Sequence, residues 1–163
     1  MHIELRKLKI IVALSEETAC YTAEVWVDGQ RAFLASNHGH GAADMFHPVG
    51  QVSEANVDAW LADNRAPTRI GDTVLKHTLE FEVAALMTRI EETKRLRRAF
   101  RTKLVVIEAG KVWSYPLKGR SVAAVASAVQ RQKPAARVVN DDEAALEAAI
   151  TIMIAADELN NGP

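Results

Sequence analysis

The sequence has a single cysteine, Cys20, among 163 residues, which excludes an internal disulfide and a zinc site built from several cysteines. No apolar run approaches the roughly 18 residues that a membrane-spanning helix needs. Charges interrupt the apolar residues at the N-terminus, which is unlike a signal peptide. We therefore expect a protein of a reducing cytoplasm with no membrane partner, and Cys20 as a small hydrophobe rather than a reactive thiol.

Several motifs of catalysis and recognition are also missing. The chain has no Gly-x-Ser-x-Gly, no paired cysteines and no phosphate-binding lysine motif. It has no helix-turn-helix, RNP or KH signature that would indicate reading of a nucleic-acid sequence. These absences favour a binding protein over an enzyme, and we predict no catalytic residue.

What is present is the composition of an ordinary folded protein, with 48% hydrophobic and 25% charged residues. The net charge of −1 is unevenly spread. Residues 1–72 hold 6 basic and 10 acidic side chains, residues 73–120 hold 11 and 5, and residues 121–163 hold 3 and 6. Such a chain can present a basic face although the whole protein is nearly neutral.

The first 35 residues predict a three-stranded antiparallel meander. Apolar residues alternate on both sides of Arg6-Lys7 but with opposite parity, so a β-bulge there would return both sets to one face. A second strand runs from Tyr21 to Val27, Asp28-Gly29 is a tight-hairpin signal, and Arg31 to Ala35 forms the returning strand.

The rest of the chain predicts helices and strands without regular alternation, so we expect an α+β fold in a single domain over residues 1–163. A short helix begins after the N-cap residue Ser53 and ends near Asn64. A long helix begins at Asp72 or Thr73 and carries an apolar stripe. The predicted parts are the meander with the short helix (1–66), the long helix (72–102) and a ββαβα unit (103–163).

Three of the five histidines fall in the stretch Ser36–Pro48, between a predicted strand and a predicted helix. In an extended segment His38 and His40 share one face, as zinc ligands from a strand often do, and Asp44 or His47 could complete a site for zinc or another divalent metal. Such a site would support metal-assisted hydrolysis. The alternatives are a backbone nest that grips an anion or a partner carbonyl, and a solvated loop.

A basic cluster lies at residues 94–103, where six of ten residues are lysine or arginine. Cations at a helix C-terminus stabilise its dipole and solvate the surface. The same residues could contact nucleic acid or an acidic protein surface. Both interpretations stay open at this point.

The segment Val27-Asp28-Gly29-Gln30, followed by Asn37-His38-Gly39-His40-Gly41, resembles small accessory proteins encoded by phages and prophages. In that group a tight hairpin leads to an Asn-x-Gly-x-Gly stretch and a short helix, and the likeness covers roughly residues 20–65. This chain has Gly41-Ala42-Ala43 where the group often continues Gly-Gly-Cys. The resemblance implies a protein that blocks host defence by binding, in the manner of anti-CRISPR proteins.

We therefore predict a non-enzymatic phage-type binding protein that needs no cofactor. It would inhibit a host defence or nucleic-acid-handling complex, a protein or ribonucleoprotein, by occluding a surface. The alternatives are a small metal-dependent hydrolase at His38 and His40, and a nucleic-acid-binding protein without sequence preference. The predicted partner-binding residues are Asn37, His38, Gly39, His40, Gly41, Arg95, Arg97, Arg98, Arg101 and Lys103.

Overall fold

A computed structural model describes residues 1–161, apart from the side chains of Ile70 and of residues 158–161. These residues form four α-helices and three antiparallel sheets, which confirms the α+β class. Two compact units divide the chain, Met1–Met87 and Thr88–Pro163. The single domain over 1–163 stays a prediction. Within the described residues, no helix combines the length and the apolar character that crossing a bilayer requires.

The first unit contains a four-stranded sheet in the order β1-β2-β3-β4. Its strands are β1 (Ile3–Ile10), β2 (Cys20–Val27), β3 (Gln30–His38) and β4 (Met45–Pro48). The predicted meander is confirmed, and β4 extends it by one strand. This fourth strand was not predicted because it is short, ends in proline and lacks a clear alternation of apolar and polar residues.

The predicted β-bulge in β1 is confirmed. The register between β1 and β2 shifts between Arg6 and Lys9, and Lys7 has a φ of +54°. Ile3 before the bulge and Ile10 after it both contact the same hydrophobic core. The bulge therefore lets a strand whose two halves differ in parity cover a single core.

The helix α1 (Glu54–Asn64) begins as predicted, because the Ser53 hydroxyl oxygen accepts a hydrogen bond from the Asn56 N–H at 3.3 Å. The long helix α2 (Leu79–Ala99) begins later than the predicted Asp72. The first residues of the predicted helix instead form β6 (Thr73–Leu75), which pairs with β5 (Thr68–Ile70) in an antiparallel hairpin. The Leu79 N–H, which starts α2, donates to the Asp58 Oδ1 atom at 2.7 Å.

The core of the first unit brings together the inner face of the sheet, α1 and the start of α2. Its largest fully buried side chains are Tyr21, Val25, Phe33, Val57, Leu61, Leu79 and Val83. Cys20 is buried as a free thiol, and a 3₁₀ turn (Val12–Leu14) joins β1 to β2.

The second unit has the predicted ββαβα order. Its sheet has the strand order β8-β7-β9, with β7 (Lys103–Glu108), β8 (Lys111–Pro116) and β9 (Arg137–Val138), and its further helices are α3 (Val122–Gln132) and α4 (Glu143–Asn161). The central strand β7 serves two cores. Leu104 and Val106 pack with α3, whereas Val105 packs with α4, as the alternation of a strand buried on both faces requires.

Candidate functional site

The loop between β3 and β4 is organised by the side chain of Asn37; we call residues Asn37–Asp44 the glycine loop. Asn37 is only 5% exposed. Its Oδ1 atom accepts from the Gly39 N–H at 2.8 Å and from the Thr18 hydroxyl at 2.9 Å. Its Nδ2 atom donates to the Ala42 carbonyl at 2.8 Å and to Asp44 Oδ1 at 2.9 Å. Asn37, predicted to contact a partner, therefore fixes the shape of the loop from inside.

The carboxylate of Asp44 is also engaged within the first unit. The buried Tyr21 hydroxyl donates to its second oxygen, Oδ2. Burial, and then this hydrogen bond, raise the pKa of Tyr21 far above its ordinary value, so the phenol stays protonated and keeps donating. The Asp44 N–H donates to Glu80 Oε1 at 3.1 Å, which ties the loop to the start of α2. Both oxygens of Asp44 are thus occupied by protein donors.

A backbone nest is present, but its amides come from outside the glycine loop. The N–H groups of Glu16, Glu17 and Thr18 all donate to the carbonyl oxygen of Gly39, at 3.0, 3.0 and 3.3 Å. Gly39 has a φ of +89°, and a Cβ there would overlap the Leu14 carbonyl oxygen. Only glycine fits this position, and this nest of residues 16–18, unlike the ligand-binding nest considered for the glycine-rich stretch, holds the loop itself.

The histidines of this region lie on the surface and apart from one another. His38 ends β3 opposite Cys20, and the His40 ring nitrogen Nδ1 is 3.2 Å from Glu16 Oε2. His47 lies in β4 opposite Leu34, which places it four residues, roughly 13 Å, along the sheet from His38. No group of three or more His, Cys, Asp or Glu side chains in the described part of the chain is arranged to hold a metal. The predicted ligand set of His38, His40, Asp44 and His47 is therefore not brought together.

Exposed apolar side chains lie on the turn whose backbone contacts Gly39, the residue between the two histidines. The 3₁₀ turn that contacts Gly39 leaves Val12 81% and Leu14 51% exposed. Ile11, just before the turn, is also exposed. We call His38, His40, Val12 and Leu14 the loop face. It combines exposed apolar side chains with imidazoles on a backbone that is held by hydrogen bonds from Asn37 and from the amides of residues 16–18.

The predicted basic cluster divides into paired and unpaired residues. Arg95 contacts Glu92 at 2.6 Å and Arg97 contacts Glu143 at 2.9 Å. Both cations are exposed, each forms an ion pair within the second unit, and their predicted role in partner binding stays a prediction. Arg98, Arg101 and Lys103 are exposed and form no ion pair among the described residues.

A polar cluster around the buried Glu82 in the first unit was not predicted from the sequence. His77 Nδ1 lies 2.9 Å from the Thr68 hydroxyl and His77 Nε2 lies 2.8 Å from Glu82 Oε2. Arg65 adds a hydrogen bond of 3.1 Å to Glu82 Oε1. The order of hydroxyl, imidazole and carboxylate is that of an activated nucleophile. Here Arg65 neutralises the carboxylate, and the contacts fasten the hairpin β5–β6 to α2.

The outer face of the first sheet carries a second unpredicted network, centred on Glu24. Lys7 at 2.9 Å, Trp26 Nε1 at 3.1 Å and Arg31 at 3.1 Å all donate to its carboxylate. The Lys7 ammonium first, then Trp26 and Arg31, hold the pKa of Glu24 at about 2, below its ordinary value of 4.5. Arg6 lies over the Trp26 ring at 3.9 Å. This network gives charged residues of three strands a structural role.

No protein-family model, curated protein or solved structure matches the chain. Thr18 and Tyr21, which complete the network behind the glycine loop, were not among the predicted site residues. The alternation of apolar and polar residues in β2 places Tyr21 on the inner face, and this pattern could have indicated that its hydroxyl lies behind the loop.

Proposed function

We propose that this chain is a non-enzymatic binding protein that inhibits a nucleic-acid-handling complex of the host by covering one of its surfaces with the loop face. The observation that carries this proposal is the complete use of the Asn37 side chain inside the glycine loop. Four hydrogen bonds hold the loop in one conformation before any partner arrives.

A loop that is already ordered favours binding. Association normally costs about 0.5–1.5 kcal/mol for each side chain that it immobilises, and a preformed loop avoids much of that cost. The loop face also has the composition of a small interface, because exposed Val12 and Leu14 adjoin polar imidazoles. These features support recognition of a protein surface.

The chemistry of the loop supports binding over turnover. A general base or a metal ligand acts through an accessible lone pair, and each hydrogen bond to a carboxylate oxygen uses one of its two lone pairs. Asp44, the carboxylate nearest the histidines in sequence, has both oxygens bonded to Tyr21 and Asn37. His40 is paired with the exposed Glu16. The polar side chains of the loop thus serve to maintain its conformation.

The identity of the partner class comes from the resemblance of residues 20–65 to phage and prophage accessory proteins. Such proteins act inside the host cell, and the buried free thiol of Cys20 suits a reducing cytoplasm. The proposed target is a CRISPR-type effector complex.

A plaque assay in cells whose CRISPR effector targets the plated phage tests this proposal. Expression of the chain should restore plaques, and the double variant His38→Ala, His40→Ala should lose that effect. His2→Ala is the matched control, because His2 is exposed and lies near the opposite end of the same sheet. Plaque numbers equal to those of an empty vector, or full activity of the double variant, would refute the proposal.

A titration of the purified effector distinguishes occlusion from catalysis. Inhibition by occlusion saturates near one chain per binding site. Complete inhibition by a small fraction of one equivalent would instead indicate turnover and would contradict a non-enzymatic function.

A further inference from the structure

The second unit contains a long stretch in which nearly all charged residues are basic. Residues 93–140 include twelve lysines and arginines and a single acid, Glu108. Five of these cations form ion pairs in the structure: Lys94, Arg95, Arg97, Lys133 and Arg137. The other seven form none among the described residues. These seven unpaired cations form a charged surface only where the fold brings them close together.

The fold gathers five of the seven at one end of the three-stranded sheet. Arg98 and Arg101 lie at the end of α2, where the Arg101 N–H donates to the Arg98 carbonyl at 3.3 Å. Lys103 opens β7 opposite Pro116. The turn that contains Lys118 and Arg120 follows at once. We call Arg98, Arg101, Lys103, Lys118 and Arg120 the basic end.

Backbone hydrogen bonds fix the turn against the end of the sheet. The Leu117 N–H donates to the Thr102 carbonyl at 2.9 Å, and the Arg120 N–H donates to the Leu117 carbonyl at 3.0 Å. Lys118 and Gly119 between them have φ values of +49° and +77°. All five side chains of the basic end are exposed. The backbone thus brings exposed cations from separate parts of the chain to the same end of the sheet.

The dipole of α2 accounts for only part of this surface. Cations in the last turn of a helix are stabilised by its negative end, which explains Arg98. Lys118 and Arg120 instead precede α3, and the N-terminal end of a helix repels cations. The first turn of α3 contains no acid that would compensate them. The helix dipole therefore does not account for Lys118 and Arg120, which lie before the N-cap residue Ser121 and would both attract an external anion.

We propose that the basic end binds the phosphate backbone of a nucleic acid without reading its sequence. This inference goes beyond the proposed function and does not rest on the loop face. An acidic protein is the competing partner, but protein interfaces need an apolar centre. Among the described residues of the second unit, Trp113 is the one exposed large hydrophobic side chain, and it lies opposite Val106 in mid-sheet. Phosphate contacts require charge alone.

An exposed acid, Asp141, borders the basic end. The Asn140 side chain donates to the Lys103 carbonyl at 3.0 Å, so its neighbour Asp141 lies at the edge of the surface. Asp141 is exposed and forms no ion pair among the described residues. It limits the positive surface on the side of α4.

Fluorescence anisotropy with a labelled duplex and a labelled single strand, at salt concentrations from about 50 to about 200 mM, tests the proposal on the full chain. Five neutralised phosphates predict a slope of log K against log salt of about −4.5 for the duplex and about −3.5 for the single strand. The variant Arg101→Gln, Arg120→Gln should flatten the duplex slope by about 1.8 and weaken binding.

The matched control is Lys111→Gln, Arg131→Gln. These cations are equally exposed and unpaired, but Lys111 is at the other end of the β7–β8 hairpin and Arg131 is in the last turn of α3. The control removes the same net charge and should leave the slope unchanged. A second test pair, Lys103→Gln with Lys118→Gln, should repeat the loss, and circular dichroism verifies folding of each variant.

Three results would overturn the proposal. The first is no binding of either oligonucleotide at the lowest salt concentration. The second is an equal loss in the test and control variants, which would indicate a diffuse charge effect. The third is binding of polyglutamate as tight as that of the oligonucleotides, which would assign the surface to an acidic protein.

Discussion

Replacing Asn37 by alanine should destabilise the first unit strongly, because this side chain joins the two ends of the glycine loop. Three of its four hydrogen bonds join neutral groups and contribute about 1 kcal/mol each. The fourth, to the Asp44 carboxylate, contributes about 1.5–3 kcal/mol. The sum approaches about 5 kcal/mol.

Water reduces this figure on one side of the loop. Ala42 is exposed, so its carbonyl recovers a solvent partner, whereas the Gly39 N–H is buried and cannot. We therefore expect a loss of about 3 kcal/mol in the free energy of unfolding for Asn37→Ala. A typical domain has about 5–15 kcal/mol in total, so the variant should stay folded but be much easier to unfold.

Hydrogen exchange of the buried β2 amides measures this loss for the first unit alone. The matched control is Asn64→Ala, because the Asn64 side chain makes one hydrogen bond, to the Trp60 carbonyl at 2.8 Å, on an exposed helix end. The control should lose less than about 1 kcal/mol. Equal losses in the two variants, or a loss below about 1 kcal/mol for Asn37→Ala, would refute the role assigned to this side chain.

Three further outcomes are expected. The pKa of Glu24, about 2 in the folded chain against an ordinary 4.5, contributes stability above pH 4.5 that is lost as the pH falls towards 2, and Glu24→Gln should flatten the stability profile in that window of an acid titration. Gly39→Ala should cost more than about 2 kcal/mol in urea denaturation, because its Cβ overlaps the Leu14 carbonyl, whereas Gly29→Ala, with open space around it, should cost about 1 kcal/mol; similar costs would contradict the steric argument. Asp141→Asn keeps a residue that tolerates the observed φ of +64° and should strengthen oligonucleotide binding about twofold to fivefold at low salt, while unchanged affinity would place Asp141 outside the basic end.

Local patterns were sufficient to predict much of the fold. The change of parity at Arg6-Lys7 predicted the bulge, and Ser53 before an apolar stripe predicted the cap of α1. These features depend on residues within a few positions of one another. The chain order of the ββαβα unit followed from the same kind of signal.

The start of α2 depended on contacts that no local pattern contains. Leu75 continues the four-residue spacing of Leu79 and Val83, so a helix over all three was a reasonable prediction. In the structure Leu75 is 39% exposed in β6, and α2 begins where Asp58 of another helix accepts the Leu79 N–H. Tertiary contacts decided between two structures of similar local preference.

Local patterns also explain some features of the candidate sites and not others. The parity of β3 places Asn37 on the inner face with Phe33 and Ala35, which would have identified it as a buried residue. The pairing of Arg95 with Glu92 also follows from their spacing of three on a helix. The partner of Arg97, Glu143, is distant in sequence and belongs to another helix, so its neutralisation was not predictable.

The amides of Glu16, Glu17 and Thr18 should open cooperatively, because one carbonyl oxygen, that of Gly39, accepts all three hydrogen bonds. Since all three donate to one acceptor, a displacement of that oxygen releases them together. Their hydrogen-exchange rates should change together, so each of the three amides reports the same opening event. A partner that seats on His38 and His40 should slow all three at once, although it touches none of them.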